Sequence, residues 1–171
     1  MNKEYYLKLR NKHLPEELKL IFVLESPPAS GKYFYDESGK TSESLFNELM
    51  KALSYIPSDK KDGLEFFKNK GFFLVDATYK PVNKLKGIER NHTILSDFDN
   101  LVADLKNLNS DKRVSLILIK ANICRLLEAK LQSEGFYVLN ESAVIPFPST
   151  GQQKKFHVEI NKLLNKYYKN A

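Results

Sequence analysis

Ile21-Phe22-Val23-Leu24-Glu25-Ser26-Pro27-Pro28 joins an apolar run to a lone carboxylate and then to a pair of prolines. A short apolar run bounded by turn residues reads as a buried β-strand, here over residues 20–24. Glu25 then stands where that strand ends. In open α/β sheets ligands bind outside the carboxyl ends of the strands, which makes Glu25 a candidate functional residue. Pro27 and Pro28 set two successive φ angles and remove two backbone donors, so the loop after Glu25 has few conformations open to it.

Similar apolar runs recur at 72–75, 114–119, 136–139 and 143–145. Between them lie amphipathic segments with helical spacing. Residues 42–53 carry Leu45, Leu49, Met50 and Leu53 on one face, and residues 93–108 carry Ile94, Phe98, Leu101, Val102 and Leu105. Residues 121–131 and 152–168 complete the set, the last with Phe156, Ile160, Leu163 and Leu164 inward. Strands that alternate with helices of this length imply crossover connections and parallel pairing. The expected fold is therefore α/β, a three-layer sandwich with a central, mostly parallel sheet of four to five strands and helices on both faces.

A chain of 171 residues suits one α/β domain spanning 1–171. No apolar run approaches the roughly 20 residues of a membrane span, and the first residues lack the apolar stretch of a signal peptide. A cytoplasmic, monomeric protein without a membrane partner is expected. The single cysteine, Cys124, excludes an internal disulfide and any multi-cysteine zinc or iron-sulfur site. No metal or other cofactor is expected. The net charge of +6 rests on lysine rather than on the four arginines, and lysines spread over solvated helix faces give such an excess without any nucleic-acid footprint.

Three loops leave the carboxyl edge of the expected sheet: residues 25–39 with Tyr33-Phe34-Tyr35, residues 76–84 with Asp76 and Lys80, and residues 146–151 with Phe147-Pro148-Ser149-Thr150. Each mixes aromatic rings, proline and polar groups. A flat, largely apolar ligand with a polar rim fits that combination. A Ser hydrolase is disfavoured because no Gly-x-Ser-x-Gly elbow is present. The Gly31-Lys32 pair lacks the upstream glycine and following Ser or Thr of a triphosphate loop.

In this order and spacing the motifs resemble the uracil-DNA glycosylase superfamily over residues 20 to 165. Leu24-Glu25-Ser26-Pro27-Pro28 resembles its Gly-Glu-Ala-Pro-Gly motif, with Glu25 at the water-activating carboxylate. Tyr33-Phe34-Tyr35 resembles its aromatic loop, in which a phenylalanine stacks on the extruded base, and Phe147-Pro148-Ser149 its His-Pro-Ser motif. Leu118-Ile119-Lys120-Ala121-Asn122 lies where the family enters a helix through Leu-Gly.

The resemblance implies a pocket for a flipped-out base, with Phe34, Tyr35, Asp76 and Phe147 around the base and Glu25 catalytic. It implies phosphate or DNA contacts from Ser149, Thr150, Lys154, Lys155 and Lys80. The partner is then DNA, single-stranded or damaged duplex, or a free nucleobase or nucleotide. The reaction is hydrolysis of an N-glycosidic bond, and a non-catalytic base-binding module of the same fold is the alternative.

Two departures bear on that choice. Phe147 occupies the place of a histidine that stabilises charge on the leaving base, and loss of one such donor costs about 2.7 to 4 kcal/mol of transition-state stabilisation. None of the three histidines is an obvious replacement, His157 being the nearest in sequence. Asp76 stands where the family reads the base with asparagine. An ionised aspartate only accepts hydrogen bonds and would repel the carbonyls of uracil, unless burial kept a proton on it.

Overall fold

The computed structural model describes residues 2–168. Three parallel strands form its sheet, β1 (Leu20–Leu24), β2 (Phe72–Asp76) and β3 (Ser115–Leu118), in the order β2-β1-β3. Leu24 aligns with Asp76 and Val23 with Leu118, so the three strands end at one level. Every residue of β1 and β2 is buried, as apolar strands covered on both faces must be.

The cover comes from seven helices among the described residues. Helix α1 (Lys3–Asn11) precedes β1; α2 (Ser44–Ala52) and α3 (Lys60–Asn69) link β1 to β2; α4 (Gly87–Ser96) and α5 (Phe98–Leu108) link β2 to β3; α6 (Ala121–Ser133) and α7 (Gln153–Tyr168) follow. The β1-to-β2 connection moves to one side of β1 and the β2-to-β3 connection returns past it to the other. Right-handed crossovers then set the two helix pairs on opposite faces. The packing agrees: α2 lies against α7 and α3 against β2, whereas α4 touches α5 and α6. The parallel α/β architecture expected from the hydrophobic pattern is therefore present.

The expected count of four to five strands is not. Residues 136–139 make one parallel bridge, Leu116 with Val138, in which Leu116 N–H donates to Tyr137 O at 2.8 Å and Leu139 N–H to Leu116 O at 2.8 Å. At the next position the buried Asn140 side chain takes over. Its Oδ1 accepts from Leu118 N–H at 2.7 Å and its Nδ2 donates to Leu118 O at 3.0 Å. A side-chain amide thus does the work of a fourth strand's backbone, and the chain is free to leave the sheet. Residues 143–145 form no strand; Ile145 O accepts from Lys120 N–H at 2.9 Å, and Ala143 is tied to Asn140 instead.

The helices differ from expectation at three places, the first being α1, which is not among the helices expected from the apolar spacing. The segment 93–108 is broken at Asp97, whose backbone (φ −97°, ψ 5°) ends α4 and starts α5, while its carboxylate accepts from Thr78 Oγ1 at 2.5 Å and Lys80 Nζ at 2.9 Å. Helix α3 carries a polar composition that hides its apolar face. It is started by Asp59, whose side chain accepts from Asp62 N–H, and it buries Leu64 and Phe67. Among the described residues no helix is long and apolar enough to cross a membrane.

Candidate functional site

Each strand delivers one charged residue to the carboxyl edge. Glu25 follows β1 directly, Asp76 is the last residue of β2, and Lys120 lies two residues beyond β3. Together with Tyr33, Phe34 and Phe147 they help to line a cavity of about 710 Å³. That volume falls within the usual range of small-molecule sites.

Glu25 is 4% exposed and both its oxygens are engaged. Lys120 Nζ donates to Oε2, Asn122 Nδ2 donates to Oε1 at 2.6 Å, and Arg90 Nε stands 3.9 Å from Oε1. Lys120 and Asn122 flank the start of α6, so the β3–α6 junction is what clamps the carboxylate. At that junction Lys120 has φ 90° and ψ 130°, a conformation that strains any residue with a Cβ.

Asp76 is also 4% exposed. Burial pushes its carboxyl up to about 7, further than the Arg10 guanidinium and the Tyr33 hydroxyl pull it back. Neither Asp76 Oδ2 nor Tyr33 Oη reaches a hydrogen bond of ordinary geometry within the protein. Arg10 is occupied elsewhere, on Asp104 at 2.5 and 3.0 Å and on the Tyr79 hydroxyl at 2.7 Å. The cavity wall therefore holds a carboxyl that changes charge near neutral pH and has hydrogen-bonding capacity to spare.

The aromatic loop is folded inward by Gly31, whose φ of 79° lets its N–H reach Pro28 O at 3.0 Å and its carbonyl accept from Tyr33 N–H at 2.9 Å. Buried Lys60 pins the same loop, donating to Tyr33 O at 2.7 Å and to Glu43 Oε2 at 2.6 Å. Phe34, 6% exposed, borders the cavity while packing edge-on to Tyr35 and Phe67 and tilted against Phe46. The second loop is tied to the first by Asn83 Oδ1, which accepts from Ala29 N–H at 3.0 Å, and by Thr78 N–H on Glu25 O at 3.1 Å.

Of the residues singled out in the sequence, Glu25, Phe34, Asp76 and Phe147 meet in this cavity. The others do not line it. Tyr35 is fully buried behind the wall, its hydroxyl accepting from Leu74 N–H at 2.7 Å and donating to Leu74 O at 3.1 Å, so it closes the free edge of β2. Lys80 lines a separate hollow of about 450 Å³ and is drawn onto Asp97. Ser149 and Thr150 are exposed in a turn closed on itself by Ser149 N–H to Phe147 O at 2.8 Å and Gln152 N–H to Ser149 O at 2.9 Å. Lys154 and Lys155 are exposed on α7 outside the cavity wall. His157 is bound to Glu48 of α2 at 2.6 Å, away from Glu25.

Lys120, Asn122 and Tyr33 are the additions. The Lys120-Ala121-Asn122 segment was visible in sequence as a strand-to-helix junction, yet nothing in its spacing announced a contact with Glu25. Fold and cavity together define a parallel α/β protein with a cavity at the carboxyl edge of its sheet. Compared with family models, curated proteins and solved structures, the chain matches none.

Proposed function

We propose that the chain is a divergent relative of the uracil-DNA glycosylases whose cavity takes a nucleobase flipped out of DNA, as base-excision repair requires. The observation that carries this reading is Asp76, buried in the cavity wall beside the Tyr33 hydroxyl, with an Oδ2 that makes no hydrogen bond of ordinary geometry. In its protonated form it offers an O–H donor beside a carbonyl acceptor and matches a base edge that presents N–H next to C=O, as uracil, hypoxanthine and xanthine do. The Phe34 ring supplies a stacking face, worth about 1 to 3 kcal/mol per base in such sites.

Hydrolysis of the N-glycosidic bond would use Glu25 to orient water and to set negative charge beside the cationic sugar. Binding without hydrolysis is the second reading, and a separate observation favours it. Both Glu25 oxygens are already held, by Lys120 and Asn122, and the neighbouring Phe147 has no donor for a leaving base.

Oligonucleotides carrying uracil, hypoxanthine, xanthine or alkylated adenine and cytosine, assayed for alkali-labile breaks and for binding, decide between them, with Glu25→Gln alongside. Breaks made by the wild type and lost in the variant support hydrolysis. Selective binding without breaks supports the module. Absence of both, for folded protein, overturns the reading.

A further inference from the structure

Lys120 is strained for a purpose that base recognition alone leaves unassigned. At φ 90° glycine would be comfortable, yet the chain keeps a lysine there, its N–H on Ile145 O at 2.9 Å and its side chain 26% exposed. Among the described residues its ammonium makes one hydrogen bond, to Glu25. Two of its three N–H donors remain for something in the cavity.

The charges around it are unbalanced. One carboxylate, Glu25, faces two cations, Lys120 and Arg90, and Arg90 otherwise donates to the carbonyls of Val82, Asn83 and Leu85, which carry no net charge. At the mouth, exposed Lys32 and Lys40 also line the cavity and pair with no carboxylate among the described residues. Against them stand Asp36, capped by Ser38, Glu43, already matched by Lys60, and Asp76, which burial keeps partly protonated near neutral pH. An excess of positive charge in a partly enclosed wall attracts an anion more strongly than the same charge in open water.

We infer that Lys120 receives the phosphate of the nucleotide whose base occupies the cavity, with Lys32 and Lys40 assisting at the mouth. The inference rests on the base-binding reading and moves the phosphate contact from the turn before α7 to the β3–α6 junction. Phosphate oxygens accept the two free ammonium donors while the third stays on Glu25. Free nucleotides and the DNA backbone share this chemistry.

Binding of deoxyinosine, deoxyinosine 5′-monophosphate and a short single strand containing deoxyinosine, measured by titration calorimetry, tests it. In the wild type the phosphate should tighten binding about tenfold over the nucleoside, as a charge-assisted contact does. Lys120→Gln should remove most of that gain, so that nucleotide and nucleoside bind with nearly the same affinity, and Lys120→Arg should keep it. The double variant Glu25→Gln with Lys120→Gln, which leaves no lone buried charge, provides the same readout if the single variant folds poorly. Tighter binding of the strand than of the monophosphate identifies the DNA backbone as the source, and the reverse order identifies a free nucleotide. A phosphate gain that persists without Lys120, or no gain at all over a nucleoside that binds, overturns the inference and leaves base binding standing. Failure of every probe to bind removes the base-binding reading and this inference with it.

Discussion

Lys120 donates a hydrogen bond to Oε2 of Glu25 across the carboxyl ends of β3 and β1, joining residues 95 apart in the chain. Removing one member of a buried ion pair costs about 3 to 5 kcal/mol because the other is left without compensation. Backbone strain of the Lys120 kind returns about 1 to 3 kcal/mol when relieved by glycine. Lys120→Gly should therefore lose about 2 kcal/mol of stability at pH 7. Glu25→Gln with Lys120→Gly should recover at least the wild-type value. Urea denaturation of the three proteins measures both, and a midpoint for Lys120→Gly raised above the wild type would show that strain relief acts alone and the pair contributes nothing to stability.

Asp76 gives stability a pH dependence of definite sign. Its folded-state pKa of about 7 lies above the 3.8 of an exposed carboxyl, so between those values the folded protein binds more protons than the unfolded chain. Stability from this group is full below about pH 4, declines as pH rises towards 7 and then levels, a span on the order of 4 kcal/mol. Asp76→Asn should melt at a higher temperature than the wild type at pH 8, and the gap should close near pH 4. Calorimetric scans across that range test the sign.

The same titration should govern ligand choice. Affinity for a hypoxanthine or uracil base should fall as pH rises through 7 in the wild type, because the donor on Asp76 is lost. In Asp76→Asn it should be flat from pH 6 to 8. Equal pH profiles for the two proteins would place base recognition elsewhere.

Tyr35 and Phe34 are neighbours with different consequences on mutation. Tyr35→Phe strips the N–H and C=O of Leu74 of their partner on the edge of β2 and should cost about 2 kcal/mol with base affinity unchanged. Phe34→Leu keeps most of the packing on Phe67 while removing the stacking face, so base affinity should drop about fivefold or more. Melting temperatures and nucleoside titrations on the pair separate structure from recognition.

Lys154 and Lys155 stand exposed outside the cavity, so their effect should be confined to long nucleic acids. Lys154→Glu with Lys155→Glu should flatten the salt dependence of DNA binding by about two phosphate contacts and leave nucleotide binding untouched. A changed nucleotide affinity would place α7 in the cavity's reach after all.

Much of the architecture was readable along the chain, because periodicity records burial and burial is local in sequence. The runs at 20–24, 72–75 and 114–119 became strands, and Glu25, Phe34, Asp76 and Phe147 met at their carboxyl ends. Polar segments were harder. Helix α3 and the break at Asp97 depend on side-chain caps and ion pairs that hydrophobic spacing does not encode.

By itself the sequence determined the order of the three strands and of most of the helices, the parallel pairing that follows from it, and the edge on which the loops gather, since these need only apolar spacing and turn chemistry. Tertiary structure alone decided that Asn140 replaces a fourth strand, that Tyr35 seals β2 instead of facing a ligand, and that Lys120 clamps Glu25. Those outcomes turn on single hydrogen bonds between residues far apart in the chain. Such a bond forms only where folding has brought a donor and an acceptor together in a place from which water is excluded.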